Sequence, residues 1–598
     1  MVAVVVEPAA PDTLPGQIFV AHADLTQLSA DAVVLSTSTN QDWVGMMSGA
    51  FDQAFGVAAL WERAKEGGAH LNEIGDVWWL PLETEAKPRG IVLSVCTGPA
   101  STLTRREMRS LPVKAAIREA MTNLRASGAT HRLLIGLPLM RLGKGGDIRD
   151  PLGSVQDQIA AARTALDELA QSDLWQSGAD VAFAAFTYDH YQVALEARRL
   201  EDQQPRVQTV LPPNFDLLVR SLRNDESVLF VGAGLSAGTG FPTYHEMISR
   251  MAQRLGEDLT GADQAAYLDL AQWFRDQYPG ETGRLVADLF GSHNTAVRPS
   301  LAHYLLMSMP VRYVLTTNWD DLLERALGAL RRYSVRVITD AQIAQTGRRD
   351  GTFVVKMHGD ADHCADLDNA NDGLVVSRDD YDQFFTAKPM MASLLEGLLL
   401  NRTFLFVGYS LRDPNFRQIH AKIAHTLREA KQPAFTLIFE SLSEPARKQW
   451  NKQQVFPICI AGNTKEEQLF HLACLLDHLA DRVAGDSRLY LSSKPRTEKQ
   501  AETSSLQQKL RELGTLLESE IEDTLDEEQA RRLSVVLAFL TDQGWRPKRV
   551  SLSTLWERLA NASTAPEDRH DCLIRALAHA EQRDVILRLK NSLDQSTL

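Results

Sequence analysis

The sequence predicts an α/β protein with a doubly wound parallel sheet at its centre, and three observations predict it. Short apolar runs recur at Val228–Val231, Val314–Leu315, Val354–Val355 and Leu405–Val407, separated by stretches of helical pattern. That alternation is what parallel strands require, because each crossover between them is made by a helix. The first run leads into Gly232-Ala-Gly-Leu-Ser236, a glycine-rich turn that the pattern places before a helix. The other three run into polar ends, in Val314-Leu-Thr-Thr-Asn-Trp-Asp320, Val354-Val-Lys-Met-His-Gly-Asp360 and Leu405-Phe-Val-Gly-Tyr-Ser410. Ligands of open α/β sheets bind where strands finish, so these ends are expected to share one crevice.

Taken in order, residues 1–200 form a first α/β domain. Its strands are expected within Gly16–Thr26, Ala30–Asn40, Gly90–Gly98, Arg132–Leu139 and Ala182–Phe186, with a glycine loop at Gly143-Lys-Gly-Gly146. Residues 201–214 mix charge, glutamine and proline without periodicity and read as a linker. Residues 215–483 make the central Rossmann-like domain, in which a mostly helical stretch, about 245–307, supplies a small lobe over the crevice. Residues 484–506, with Gly485, Pro495 and alternating charges, read as a second linker. Residues 507–598 read as all-helical, a packing or oligomerisation module. There Thr524 and Glu527 suggest a capping box ahead of Leu533, Val536, Leu537 and Leu540.

At 598 residues, with 44% hydrophobic and 23% charged residues, the chain is too long for one core and ordinary for a globular protein. A net charge of −14 argues against binding nucleic acid through a global basic field. No run of about 18 apolar residues predicts a membrane span, and the start Met1-Val-Ala-Val-Val-Val-Glu-Pro lacks the basic residues of a signal peptide. Five scattered cysteines (96, 364, 459, 474 and 572) suit a reducing cytoplasm without a disulfide framework.

The candidate residues carry recognisable chemistry. Gly232 and Gly234 would let the backbone approach a pyrophosphate, with the following helix offering free N–H groups. His358 after a buried strand suits a base near neutral pH. Each has a structural alternative. His358 could be a hydrogen-bonded structural histidine, and Asn318 and Asp320 could cap the helix beginning near Asp321.

As a set, over about residues 215–465, these motifs resemble the sirtuin family, in particular its divergent bacterial branch found in antiphage defence. The resemblance implies an NAD site. Asn318 and Asp320 would hold the ribose side and the carboxamide, with Thr317 where the family has glutamine, and His358 would be the base. Gly232, Ala233, Gly234 and Ser236 would lie at the phosphates, and Gly408 and Ser410 at the adenine-side ribose. The first domain resembles the macro fold, which implies ADP-ribose-type ligands held by Asp24 and the loop with Gly143, Gly145 and Gly146, although Ser36-Thr-Ser-Thr-Asn40 replaces that family's asparagine-rich stretch.

Departures from the sirtuin pattern narrow the chemistry. Pro242-Thr-Tyr-His245 stands where deacylating members carry Pro-Asp-Phe-Arg, and only Cys364 lies where they carry a four-cysteine zinc module. No metal is therefore expected, and water becomes the acceptor. The implied activity is a regulated NAD glycohydrolase releasing nicotinamide and ADP-ribose, a defence effector switched by an ADP-ribose-type activator and forming a homo-oligomer. The alternatives are a protein deacylase or ADP-ribosyltransferase, a noncatalytic nucleotide sensor, and a hydrolase activated by a partner protein.

Overall fold

A computed structural model describes residues 15–39, 46–142, 150–201, 211–365, 373–409, 432–484 and 512–564, apart from short gaps within those ranges, and scattered positions beyond. The chain divides into two compact units, Met1–Val207 with Ala480–Leu598, and Gln208–Leu479. The sequence analysis set the tail apart as a segment of its own. The end of the helix Lys465–Ala484 belongs to the first unit: Arg198 and Arg199 lie 3.4 and 3.2 Å from the Asp481 carboxylate, and Ala484 joins that unit's core.

Among its described residues the first unit holds six strands: β1 (Ile18–His22), β2 (Ala32–Ser38), β3 (Val77–Pro81), β4 (Gly90–Thr97), β5 (Leu133–Pro138) and β6 (Ala179–Ala185). They lie in the order β1-β6-β5-β2-β4-β3, parallel except for β3, which runs antiparallel to β4 at the edge. This edge strand, Val-Trp-Trp-Leu-Pro, is not among the elements the sequence analysis predicts. Its terminal proline suits an edge, where a missing N–H costs no ladder bond. Helices Arg105–Ala126, Pro151–Leu169 and Tyr188–Leu200 pack Ile117, Ile159 and Leu195 against Val34, Ile135 and Val181 of the sheet. In the tail the helix Glu527–Asp542 starts with a reciprocal cap between Asp526 and Gln529, while the expected Thr524 lies outside the described residues.

Among its described residues the second unit holds seven strands, all parallel: β7 (Ser227–Val231), β8 (Tyr313–Thr316), β9 (Ser334–Val337), β10 (Thr352–Lys356), β11 (Thr403–Val407), β12 (Ala434–Ile438) and β13 (Val455–Cys459). Their order is β13-β12-β11-β7-β8-β10-β9, so the chain winds outward from β7 in both directions. The reversal leaves a crevice between the ends of β7 and β11. Register sharpens this. Val231 pairs with Thr316 and with Val407, and Thr316 pairs with Lys356, so four strands end in one row. Helices Tyr244–Leu255, Gln264–Gln277, Glu281–Phe290 and Leu301–Met307 fill the stretch expected to be helical. The first three pack Met251, Phe274 and Val286 into one apolar cluster with Trp319. Among the described residues no helix is long and apolar enough to cross a membrane.

Candidate active site at the strand ends

The row of strand ends opens into a cavity of about 380 Å³, within the range of small-molecule sites. Its lining includes Ala233, Gly234 and Ser236 after β7, Thr317, Asn318 and Asp320 after β8, His358 after β10 and Gly408 after β11. Residues that lie far apart in sequence thus meet because their strands end at one height. Ser410, Gly143, Gly145 and Gly146 lie outside the described residues, as do most of the two linkers.

Ser236 is the hub of the polar wall. Its hydroxyl donates to Asp320 Oδ2 at 3.0 Å and accepts from Asn318 Nδ2 at 3.1 Å. All three side chains are buried. With its amide nitrogen spent on Ser236, Asn318 has an Oδ1 that is buried and has no hydrogen-bond partner. A buried acceptor in that state carries a desolvation cost that a donor on a ligand would relieve. Asp320 Oδ1 also accepts from the Leu322 N–H at 3.1 Å, at the start of the helix Leu322–Ala329.

His358 is buried, with its ring 5.2 Å from that of Tyr381, edge to face. Its carbonyl accepts from Trp319 Nε1 at 3.0 Å and from the Val375 N–H at 3.0 Å. Trp319 therefore ties the β8 loop to the histidine turn, a role that sequence analysis missed. Its position between Asn318 and Asp320 was the available signal. Lys388 fixes the same turn from the other side, its ammonium donating to the Met357 carbonyl at 3.0 Å. Burial pushes the Lys388 ammonium down to about 8, against the opposing pull of Asp340 and Asp380. Phe241, Leu268, Phe290 and Trp319 add an apolar wall, with Tyr244 held by a bond from its hydroxyl to the Val376 carbonyl at 3.0 Å.

The glycine turn differs from expectation. The N–H groups of Gly232, Gly234 and Leu235 are spent on Val407, Gly408 and Gly232 carbonyls. A Cβ on Gly232 would sit 2.5 Å from the Gly408 carbonyl oxygen, and one on Gly234 would sit 2.7 Å from the Gly408 Cα. Gly408 itself has φ 63°, in the left-handed region that favours glycine. The room left by these three glycines lets two loops close on each other at the switch point. Nor does a helix follow at once. Residues 233–240 are turns and bends, and the helix begins at Tyr244 with its first N–H groups answered by a Thr243–Glu246 capping box. The helix terminus thus stands ten residues beyond Gly234, with the Glu246 N–H answered by the Thr243 hydroxyl at 3.2 Å.

Cys364 is buried, donates to the Gly283 carbonyl at 3.4 Å, and has its thiol pushed up to about 12 by burial and the nearby Asp360. All five cysteines are free. Among the described residues no cluster of histidine, cysteine and carboxylate side chains could hold a metal ion. In the first unit Asp24 accepts from the Thr26 N–H and hydroxyl at 2.8 and 2.7 Å, beside a cavity of only about 40 Å³ lined also by Phe51 and Phe186.

Residues 312–458 match the SIR2-like domain family. That segment carries β8 to β13 and with them Asn318, Asp320, His358 and Gly408. Among curated proteins the chain is 29% identical over 225 residues to the NAD(+) hydrolase ThsA of Enterococcus faecium, covering 38% of this chain and 45% of that protein. It is 27% identical over 226 residues to the protein of the same name from Bacillus cereus (strain MSX-D12), covering 38% of this chain and 46% of that one. The chain thus spans less than half the length of these relatives. Among solved structures, a Trypanosoma brucei macrodomain is 20% identical, with 30% of this chain and 66% of that one covered and a TM-score of 0.24. The central unit resembles the divergent, sirtuin-like branch that the motifs pointed to.

Proposed function

We propose that the protein is a regulated NAD glycohydrolase that releases nicotinamide and ADP-ribose, acting in antiphage defence by depleting NAD. The observation that carries this reading is the convergence of Asn318, Ser236, Asp320 and His358 on one cavity, in a chain similar over 225 residues to a relative named NAD(+) hydrolase.

The chemistry asks little proton transfer of the leaving group, since a pyridinium departs as neutral nicotinamide. The site must instead place the ribose, stabilise an oxocarbenium-like transition state and aim a water. Asn318 Oδ1 would accept from the substrate's amide or ribose hydroxyl. Asp320, held by Ser236, would set the charge beside it. His358 would act as the base towards the ribose hydroxyls or water. Thr317, Gly408 and Ser410 would line the nucleotide's path, and Ala233 the phosphate side. NAD is the substrate, and no step needs a metal.

The first unit, read as macro-like, would sense an ADP-ribose-type activator at Asp24 and the Gly143–Gly146 loop. A homo-oligomer in the cytoplasm would be the working form. Nicotinamide release by the purified full chain, with and without ADP-ribose-type nucleotides, tests both halves. His358→Ala should cut release by about 100-fold or more, and Asn318→Ala by a comparable factor. Binding of NAD without turnover, unchanged in His358→Ala, would favour the sensor reading instead.

A further inference from the structure

Lys356 ends β10 as the last residue of Thr-Phe-Val-Val-Lys, and its side chain is fully buried. Burying an ammonium costs several kcal/mol unless every proton finds a partner. Here the partners are specific. Its Nζ donates to the backbone carbonyl of Asp320, and lies 3.4 Å from Asp360 Oδ2 and 3.6 Å from Glu324 Oε1. Arg336 of β9 shares the same carboxylates, at 3.1 Å from Glu324 and 3.4 Å from Asp360. Burial works against the charged lysine, yet Glu324, Asp360 and Asp320 outweigh it and hold the ammonium above its ordinary range.

The position of those contacts matters more than their number. The Asp320 carbonyl closes the loop that carries Asn318 and Asp320. Asp360 ends the turn that carries His358, and accepts from the Asp362 and His363 N–H groups at 3.1 Å each. One buried cation therefore holds two loops that deliver three candidate site residues, from a strand between β8 and β9.

We propose that Lys356 is a positioning residue that locks the Asn318–Asp320 loop to the His358 turn, so that the polar wall is assembled before a nucleotide arrives. Its effect on turnover rests on the hydrolase reading above; its effect on the loops does not. Preassembly of this kind acts on the transition state more than on binding, since a misplacement of about 1 Å can cost about 100-fold in rate.

The test compares wild type with Lys356→Met, Glu324→Gln and the double variant K356M/E324Q, in which one of the two carboxylates left behind is neutralised while Arg336 still faces Asp360, so that folding survives. Hydrogen exchange of backbone amides 317–322 and 358–363 should accelerate about tenfold or more in both lysine variants, while Glu324→Gln stays near wild type. Nicotinamide release should fall about 100-fold in the lysine variants with NAD affinity changed less than about threefold. Wild-type exchange in folded K356M/E324Q overturns the proposal. So does a parallel loss of NAD affinity and turnover, which would mean a collapsed site. If wild type releases no nicotinamide, the hydrolase reading fails, and the exchange measurement alone still decides the role of Lys356.

Discussion

Both units pack helices around a largely parallel sheet, but they use their strand ends differently. In the second unit four strands finish in one row, and the loops beyond them line a cavity of about 380 Å³ with four buried polar side chains. In the first unit the described residues enclose about 40 Å³ beside Asp24, whose Oδ1 accepts from the Thr26 N–H and hydroxyl. On sheets of the same kind, the two cavities described at strand ends thus differ roughly tenfold in volume. Strands β1, β5 and β6 of the first unit also end within a residue of one row, so the difference lies in the residues just beyond the strands.

The largest effect that could break this contrast is expected at Gly408. A Cβ there would meet the Leu235 nitrogen at 2.3 Å, with backbone on both sides and a left-handed φ. Gly408→Ala should cost about 3 kcal/mol of stability, read from urea unfolding. Gly90, in the first unit, is the matched control. Its added Cβ would meet the Trp79 ring at 2.1 Å, but that obstacle is one partly buried side chain on the edge strand β3 and not backbone. Gly90→Ala should cost only about 1 kcal/mol. Equal costs would show that loop closure at the switch point is no tighter than ordinary core packing.

Next comes Ser236→Ala, which removes the hydroxyl joining Asn318 to Asp320. About 30-fold slower nicotinamide release, or roughly 2 kcal/mol of transition-state stabilisation, is expected, with little change in thermal midpoint. A large stability loss with normal turnover would make the triad structural.

The smallest effect is a pH dependence of opposite sign in the two units. Burial raises the Asp321 carboxyl to about 6, with Arg325 opposing and Glu324, Asp362 and Asp320 adding to it. Its folded value lies above the ordinary 3.8, so the folded state binds the proton more readily. The contribution of this group to stability therefore grows as pH falls from about 6 towards 4. Asp31 of the first unit behaves in the reverse way. Burial would raise its carboxyl, but the His131 hydrogen bond and Lys87 charge win and hold it below the usual range. That contribution is fully present above the ordinary carboxylate value and is lost as pH falls through the lowered one. Asp321→Asn should thus be more stable than wild type at pH 7, with the advantage shrinking towards pH 4 in urea titrations. An advantage that grows on acidification would reverse the sign assigned to Asp321.

Much of the site was legible because its signals are local. An apolar run followed by Asn318 and Asp320, or by His358, marks a strand and its polar end wherever the strand lies in the sheet. The lobe between 245 and 307 was legible from periodicity for the same reason. The glycine turn was misjudged because a glycine reports only that space is needed, and gives no account of what fills it. Here Gly408 and Tyr409 fill it, some 175 residues away. Trp319 and Lys356 went unread as site residues because an apolar ring and a lone cation take meaning only from their neighbours.

By itself the sequence determined the α/β class, the parallel central sheet and the identity of the polar residues at its strand ends, since periodicity and residue type act over a few positions. Only the tertiary structure decided that Val231, Thr316, Lys356 and Val407 lie in one row, that Ser236 joins Asn318 to Asp320, and that a buried lysine binds two loops together. Those are facts of register and desolvation. They depend on which strands are neighbours, and they arise only when distant segments exclude water from the same small volume.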